Sequence, residues 1–163
     1  MNQNTKVKLC CCQKMPIIAL GVWQSGKDTK QAVLDALKAG YRHIDTAACY
    51  GNEKAVGEAV KESGIPREDI FITTKLWNDD IRAGNTRKAL LTSLQKLQMD
   101  YVDLYLIHWP VEGYVEAYLE MEKLKEEGLV KSIGVSNFRK SHLQNLLSQV
   151  HKIPAVNQIE IYI

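Results

Sequence analysis

The sequence predicts an α/β fold built around a parallel sheet. Short apolar, strand-like runs alternate with helical patterns from Ile17 onward, the order expected of successive strand–helix units. Three of these runs end on or shortly before side chains that handle protons: Asp45 with Tyr50 close behind, Lys75, and His108. In a barrel of alternating strands and helices, residues at carboxyl strand ends converge on one mouth, where the chemistry is done. A doubly wound sheet alternates in the same way. The fingerprint G-x-G-x-x-G that would follow its first strand is missing, however. No P-loop, zinc-protease helix or G-x-S-x-G elbow is found either.

The elements read in order as follows. Ile17–Gly21 is the first strand. Asp28 offers a helix N-cap with Gln31 three residues on, and Ala32, Val33, Ala36 and Leu37 line one face of a helix that Gly40 ends. Strand 42–46 and a helix from Asn52 to Ser63, stopped by Gly64 and Pro66, form the second unit. Strand 70–75 and a helix from Asn85 to Leu97 form the third, with Leu90, Leu91, Leu94 and Leu97 at helical spacing. Strand 102–107 precedes a helix carrying Ala117, Met121 and Leu124 that ends before Gly128. Strand 130–135 precedes a helix bearing Leu143, Leu146, Leu147 and Val150, and Ala155–Ile161 is the last strand. No linker or low-complexity stretch interrupts this order, so residues 1–163 are expected to form a single domain.

Composition narrows the function classes. A chain of 163 residues that is 45% apolar and 25% charged is an ordinary globular chain with enough length for a core. A net charge of +2, with no basic block longer than pairs such as Arg139-Lys140, argues against a nucleic-acid partner. The apolar run from Ile17 to Trp23 is far too short to cross a bilayer, and residues 1–6 lack the apolar stretch of a signal peptide. A cytoplasmic location with no membrane partner is expected. Cys10, Cys11 and Cys12 are consecutive and Cys49 stands apart. A bridge between neighbours would be strained, no C-x-x-C occurs and no histidine lies near the run. Reduced thiols in a reducing compartment, with no metal site, are the expectation.

Taken singly, the polar side chains have ordinary readings. Asp45 and Lys75 suit a solvated ion pair, Tyr50 a half-buried packing residue, and His108 before Trp109-Pro110 a structural histidine. Ser136 and Asn137 suit a helix cap. Each of Trp23, Trp77 and Trp109 suits a core position as well as a pocket wall.

Their joint setting is more specific. Gly40-Tyr-Arg-His-Ile-Asp45-Thr-Ala-Ala-Cys-Tyr50-Gly-Asn-Glu53, followed by Val56-Gly57, resembles the first signature of the aldo-keto reductase family. Ile72-Thr-Thr-Lys75-Leu-Trp-Asn78 resembles its catalytic-lysine strand, and Asp103-Leu-Tyr-Leu-Ile-His108-Trp-Pro110 its histidine strand. Ile133-Gly-Val-Ser136-Asn137-Phe138 and Val156-Asn-Gln158-Ile-Glu160 resemble its nicotinamide-facing segments. These motifs stand in family order between residues 21 and 160, most similar to the sugar-dicarbonyl, methylglyoxal and prostaglandin F reductase branch.

The resemblance implies a (β/α)8 TIM barrel that binds NADPH without a Rossmann domain and reduces aldehydes or ketones to alcohols. It implies Tyr50 as general acid, with Lys75 lowering the phenol's pKa and Asp45 holding Lys75 charged. It gives His108 the carbonyl to orient and the growing oxyanion to meet. It gives Asp45, Ser136, Asn137 and Gln158 to the cofactor, and Trp23, Trp77, His108 and Trp109 to the substrate pocket. Cys49 reads as a small spacer beside Tyr50.

Two departures shape the expectations. The amino-terminal hairpin turns through Cys10, Cys11 and Cys12 where the family usually has Asn/Asp-Gly, so a longer or strained turn is expected. A (β/α)8 barrel takes about 250 residues, so this chain is expected to be C-terminally truncated, with the hairpin and about six of eight strand–helix units. The resemblance places the nicotinamide-stacking aromatic and the Lys-Ser…Arg phosphate loop in the absent strands. Two open sheet edges lead to an expectation of self-association. They also leave a rival reading, a catalytically silent homologue acting by binding or assembly.

Overall fold

The structure, a computed structural model, describes residues 5–10 and 12–161. Cys11, in the middle of the cysteine run, lies outside the described residues. The chain opens with an antiparallel hairpin of β1 (Lys6–Lys8) and β2 (Lys14–Pro16), in which Lys8 pairs with Lys14. The turn between them therefore spans residues 9–13, closed by the Leu9 amide donating to Gln13 O at 2.8 Å. Cys12 takes a φ of +68° there. Of the two alternatives, longer or strained, the turn shows features of each: it spans five residues, and Cys12 adopts the left-handed conformation that glycine or asparagine would take at less cost.

Six parallel strands follow, each with helices in between: β3 (Leu20–Gly21), β4 (His43–Asp45), β5 (Phe71–Leu76), β6 (Val102–Ile107), β7 (Val130–Ser136) and β8 (Asn157–Gln158). The helices are α1 (Thr29–Lys38), α2 (Glu53–Glu62), a short α3 (Asn78–Arg82), α4 (Thr86–Leu97), α5 (Tyr114–Glu126) and α6 (Lys140–Leu147). Spatial order equals chain order from β3 to β8. This decides between the two parallel architectures. Crossovers are right-handed, so an unreversed order places every helix on one face and the sheet curls as a barrel wall. A doubly wound sheet needs a reversal of order, and none occurs among the described strands.

Side-chain alternation divides the core accordingly. Ile72, Leu76, Tyr105, Ile107, Ile133 and Val135 pack with Val33, Leu37, Leu90 and Leu124 of the helices. Phe71, Leu104 and Leu106 point the other way and pack with Leu9 from the hairpin turn. The hairpin thus covers the inner face at one end, and the carboxyl strand ends lie at the other.

Most boundaries fall within a residue or two of their expected places. The first strand shortens to Leu20–Gly21 and the last to Asn157–Gln158. Both are outer strands of the sheet, paired on one side only among the described residues. Asp28 precedes α1 but its side chain makes no capping bond; Thr29 Oγ1 donates to Gly26 O instead, at 2.8 Å. α6 ends at Leu147, which is 48% exposed, so of its expected apolar face only Leu146 is fully buried. Ser136 and Asn137 do not cap that helix, whose N-cap is Arg139.

Gly57 is where α2 meets the end of α4. A Cβ there would stand 2.1 Å from Leu97 O and 2.5 Å from Leu97 C, against backbone that cannot step aside. Gly57→Ala is expected to destabilise the fold by about 1–3 kcal/mol through overpacking, read from urea unfolding. Wild-type stability in that variant would show that the helices separate freely.

Candidate active site

The expected side chains gather at the carboxyl end of the sheet. Asp45 ends β4, Lys75 lies near the end of β5, and His108 follows β6 directly. Tyr50 comes from the 3-10 turn Ala48–Tyr50 after β4. That turn is pinned from below. Asn52 donates to Val22 O at 2.8 Å and accepts from Thr46 at 2.8 Å, while buried Glu53 accepts from Thr74 at 2.6 Å. Asn52, Glu53 and Thr74 were not singled out by the sequence reading. Their signal was present in the Asn52-Glu53 pair of the first signature, beside a strand of otherwise apolar pattern.

Lys75 is 1% exposed, and every proton of its ammonium is directed. Nζ donates to Asp45 Oδ1 at 2.5 Å, to Thr46 O at 2.9 Å and to Tyr50 Oη at 3.4 Å. The other oxygen of Asp45 accepts from Gln158 Nε2 at 2.9 Å. The result is a continuous line of hydrogen bonds from Gln158 through Asp45 and Lys75 to the phenol.

One electrostatic expectation needs correction. Lys75 does pull the Tyr50 pKa down, by its charge and its hydrogen bond, but burial of the phenol outweighs it and the net movement is upward from 10.0. Desolvation disfavours the phenolate more than one ammonium favours it. Tyr50 therefore rests fully protonated at neutral pH.

His108 moves the other way. Burial first, and then the Lys75 charge, lower its pKa from 6.5 to about 4, with Asp45 opposing. The ring is neutral at pH 7. A histidine that resists protonation when folded binds fewer protons than the unfolded chain between its two pKa values. Its contribution to stability is therefore whole above pH 6.5 and is lost as pH falls toward about 4. His43, also lowered by burial, acts in the same direction. The melting temperature is expected to fall across that interval, and His108→Gln to flatten the fall; an unchanged slope in that variant would refute the assignment.

A cavity of about 570 Å3 opens above these groups. Tyr50, Trp77 and His108 line one side with the exposed Trp23 and Trp109, and Ser136, Asn137 and Gln158 line the other. All three tryptophans thus border the cavity rather than the core. Ile159 and Glu160, from the segment expected to face nicotinamide, complete the lining together with Cys49, which reads in the sequence only as a spacer. Another hollow along α4, beside Arg87, Lys88 and Leu91, holds none of the expected side chains.

Asn137, at φ +62°, donates through Nδ2 to His108 O and to Ser136 Oγ, both at 3.1 Å. Among the described residues, Asn137 Oδ1 and Gln158 Oε1 take no hydrogen bond from the protein, which leaves two acceptors on side chains that line the cavity. Neutral donors and acceptors of this kind fit a carboxamide such as that of nicotinamide. Among the described residues, no lysine or arginine lines the cavity. Among the described residues no group of three His, Cys, Asp or Glu side chains could hold a metal ion, and no helix is long and apolar enough to cross a membrane.

Comparison with known proteins gives a consistent result. Residues 17–163 match the aldo/keto reductase family. The chain is 52% identical to the methylglyoxal reductase DkgA of Yersinia pestis, over 99% of this chain and 59% of that protein. It is likewise 52% identical to methylglyoxal reductase DkgA of Escherichia coli K12, over 99% of this chain and 60% of that protein. The crystal structure of an aldo/keto reductase from Brucella melitensis superposes with a TM-score of 0.93 at 54% identity, covering 96% of this chain and 63% of that one. A Bombyx mori aldo-keto reductase in complex with NADP superposes with a TM-score of 0.93 at 39% identity, covering 99% of this chain and 59% of that one. The chain spans about three fifths of the length of the curated relatives it matches.

Proposed function

The chain belongs to the aldo/keto reductase family, and from that premise we propose that its carboxyl-end cavity reduces an aldehyde or ketone to an alcohol with NADPH. The observation that carries this reading is the line Asp45–Lys75–Tyr50, which opens beside His108 onto the cavity. When bound, the nicotinamide supplies hydride to the carbonyl carbon. Tyr50 supplies the proton. Its phenol is stocked in the protonated form by burial, and an oxyanion developing at the former carbonyl is far more basic than a phenolate, so transfer from Oη runs downhill.

Lys75 then stabilises the phenolate left behind, and Asp45 keeps the ammonium aimed. His108, neutral and walled by Trp77 and Trp109, offers a ring nitrogen to the carbonyl oxygen. Asn137 and Gln158 would offer their free acceptor oxygens to the carboxamide, with Ser136 buttressing β8 through Gln158 O at 3.1 Å. The aromatic walls suit a small, partly apolar carbonyl compound, and a reactive dicarbonyl such as methylglyoxal is the first substrate to try.

Titrating NADPH while following its fluorescence, then its oxidation on adding methylglyoxal, tests the proposal. Saturable binding and substrate-dependent oxidation are expected. No binding at high micromolar cofactor would overturn it for this chain. The competing reading is a catalytically silent homologue acting by binding or assembly. Binding without turnover, or neither, would favour it.

The same reading treats residues 1–163 as one partial-barrel domain whose outer strands β3 and β8 each have an unpaired side among the described residues. Ile153, Ile159 and Ile161 near β8 are more than half exposed. Self-association through these edges follows, and light scattering should report a mass that rises with concentration. A monodisperse monomer with a sharp, cooperative melt would rule it out.

A further inference from the structure

Three rings hold the imidazole of His108 in its plane. Trp77 meets it edge-on at 5.3 Å, Tyr50 edge-on at 5.8 Å, and Trp109 lies nearly parallel at 6.5 Å. Stacking and edge contacts fix a plane but do not choose which ring nitrogen carries the proton. In a neutral imidazole that choice decides everything polar about the ring, because one nitrogen donates and the other accepts. The backbone of His108 is committed elsewhere, its amide to Leu76 O and its carbonyl to Asn137 Nδ2. Among the described residues a single side chain addresses either ring nitrogen by hydrogen bonding: Cys49, with Sγ 3.6 Å from Nδ1.

We propose that Cys49 is a positioning residue whose S–H donates to His108 Nδ1, holding the proton on Nε2 so that this nitrogen meets the substrate carbonyl as a donor. The opposite arrangement, Nδ1–H donating to sulfur, would turn a bare Nε2 lone pair toward an oxygen that is gaining negative charge. Cys49 keeps an exposed edge, and the desolvation of its more sheltered side raises its pKa, so at neutral pH it is a thiol able to donate. It also belongs to the same short turn, Ala48–Tyr50, that carries the phenol. One turn would then set both the proton donor and the tautomer of its neighbour. The consequence for turnover rests on the reductase reading, whereas the tautomer is a property of the chain alone.

The two are separable by experiment. Ring-nitrogen NMR of the 15N-histidine-labelled chain, without cofactor, is expected to show His108 as the Nε2–H tautomer. A weak hydrogen bond of this kind biases the tautomer ratio by about fivefold. Cys49→Val should therefore move the ratio about that far toward Nδ1–H, and Cys49→Ser should restore it. Cys49→Ala gives the same reading without a branched side chain in the turn. With NADPH and methylglyoxal, kcat should fall about as far in the valine variant and recover with serine, while KM for NADPH stays put. A wild-type Nδ1–H signal, or a valine spectrum superposing on the wild type, overturns the proposal. The expected spectra with no turnover in any variant would support it and count against the reductase reading instead.

Discussion

Tyr50→Phe is expected to lower kcat for carbonyl reduction by about 10²–10⁴-fold, the usual contribution of a positioned general acid, with NADPH affinity unchanged. The substitution removes one oxygen and little else. The ring keeps its place against the core and its edge contact with His108. Lys75 keeps its bonds to Asp45 and to Thr46 O, so the buried ammonium is not orphaned and the fold should hold. The pH profile discriminates further. Because burial carries the Tyr50 pKa above 10.0, wild-type activity should stay flat through neutrality and fall only at strongly alkaline pH. The alkaline limb should vanish in the variant. A Tyr50→Phe chain within tenfold of wild type would mean that the proton comes from elsewhere.

The fold was largely legible because its strands carry two signals at once. Residues Phe71–Leu76 and Val102–Ile107 are short apolar runs, and each is bounded by a turn and followed by helical spacing. The outer strands were overread for a physical reason. Ala155–Ile161 has strand-like side chains, and Ala155 and Val156 also exchange backbone hydrogen bonds with β7, but the strand itself is only Asn157–Gln158, and among the described residues no strand covers its far side. Apolar character alone left Ile159 and Ile161 exposed. α3, with five residues, is too short to show a helical period, and the sequence pattern assigns no element to it.

At the site, identity was legible and interaction was not. The motifs placed Asp45, Lys75 and His108 at successive strand ends, and the structure brings them together with Tyr50. Which contribution governs Tyr50 could not be read, since a sequence shows the neighbouring lysine but not the burial opposing it. The contact of Cys49 with His108 joins residues 59 positions apart, and nothing in the spacing of a single cysteine announces it. Gln158 shows the converse. It was assigned to the cofactor, and in the structure its amide nitrogen is already committed to Asp45, which leaves its oxygen as the group free to meet a ligand.

The second large effect concerns the ion pair beneath the phenol. Lys75→Met is expected to destabilise the chain by about 3 kcal/mol, the lower end of the ~3–5 kcal/mol range for breaking a buried pair. The lower end applies because the Asp45 side chain keeps 12% exposure and its bond to Gln158, so the stranded carboxylate is partly solvated and partly paired. Removing both charges together is a different matter. Two ions drawn out of water seldom recover their desolvation by mutual attraction, and apolar replacements of similar volume are often neutral or stabilising. Asp45→Leu added to Lys75→Met should therefore return most of the lost stability in urea unfolding. Catalysis should not return, since nothing then stabilises the phenolate of Tyr50 as it forms, and kcat should stay down by about the 10²–10⁴ expected for losing the acid itself. Recovered stability without recovered turnover would show the pair to be held for chemistry at the fold's expense. A double variant no more stable than the single one would show instead that Asp45 and Lys75 are part of what holds the carboxyl strand ends together.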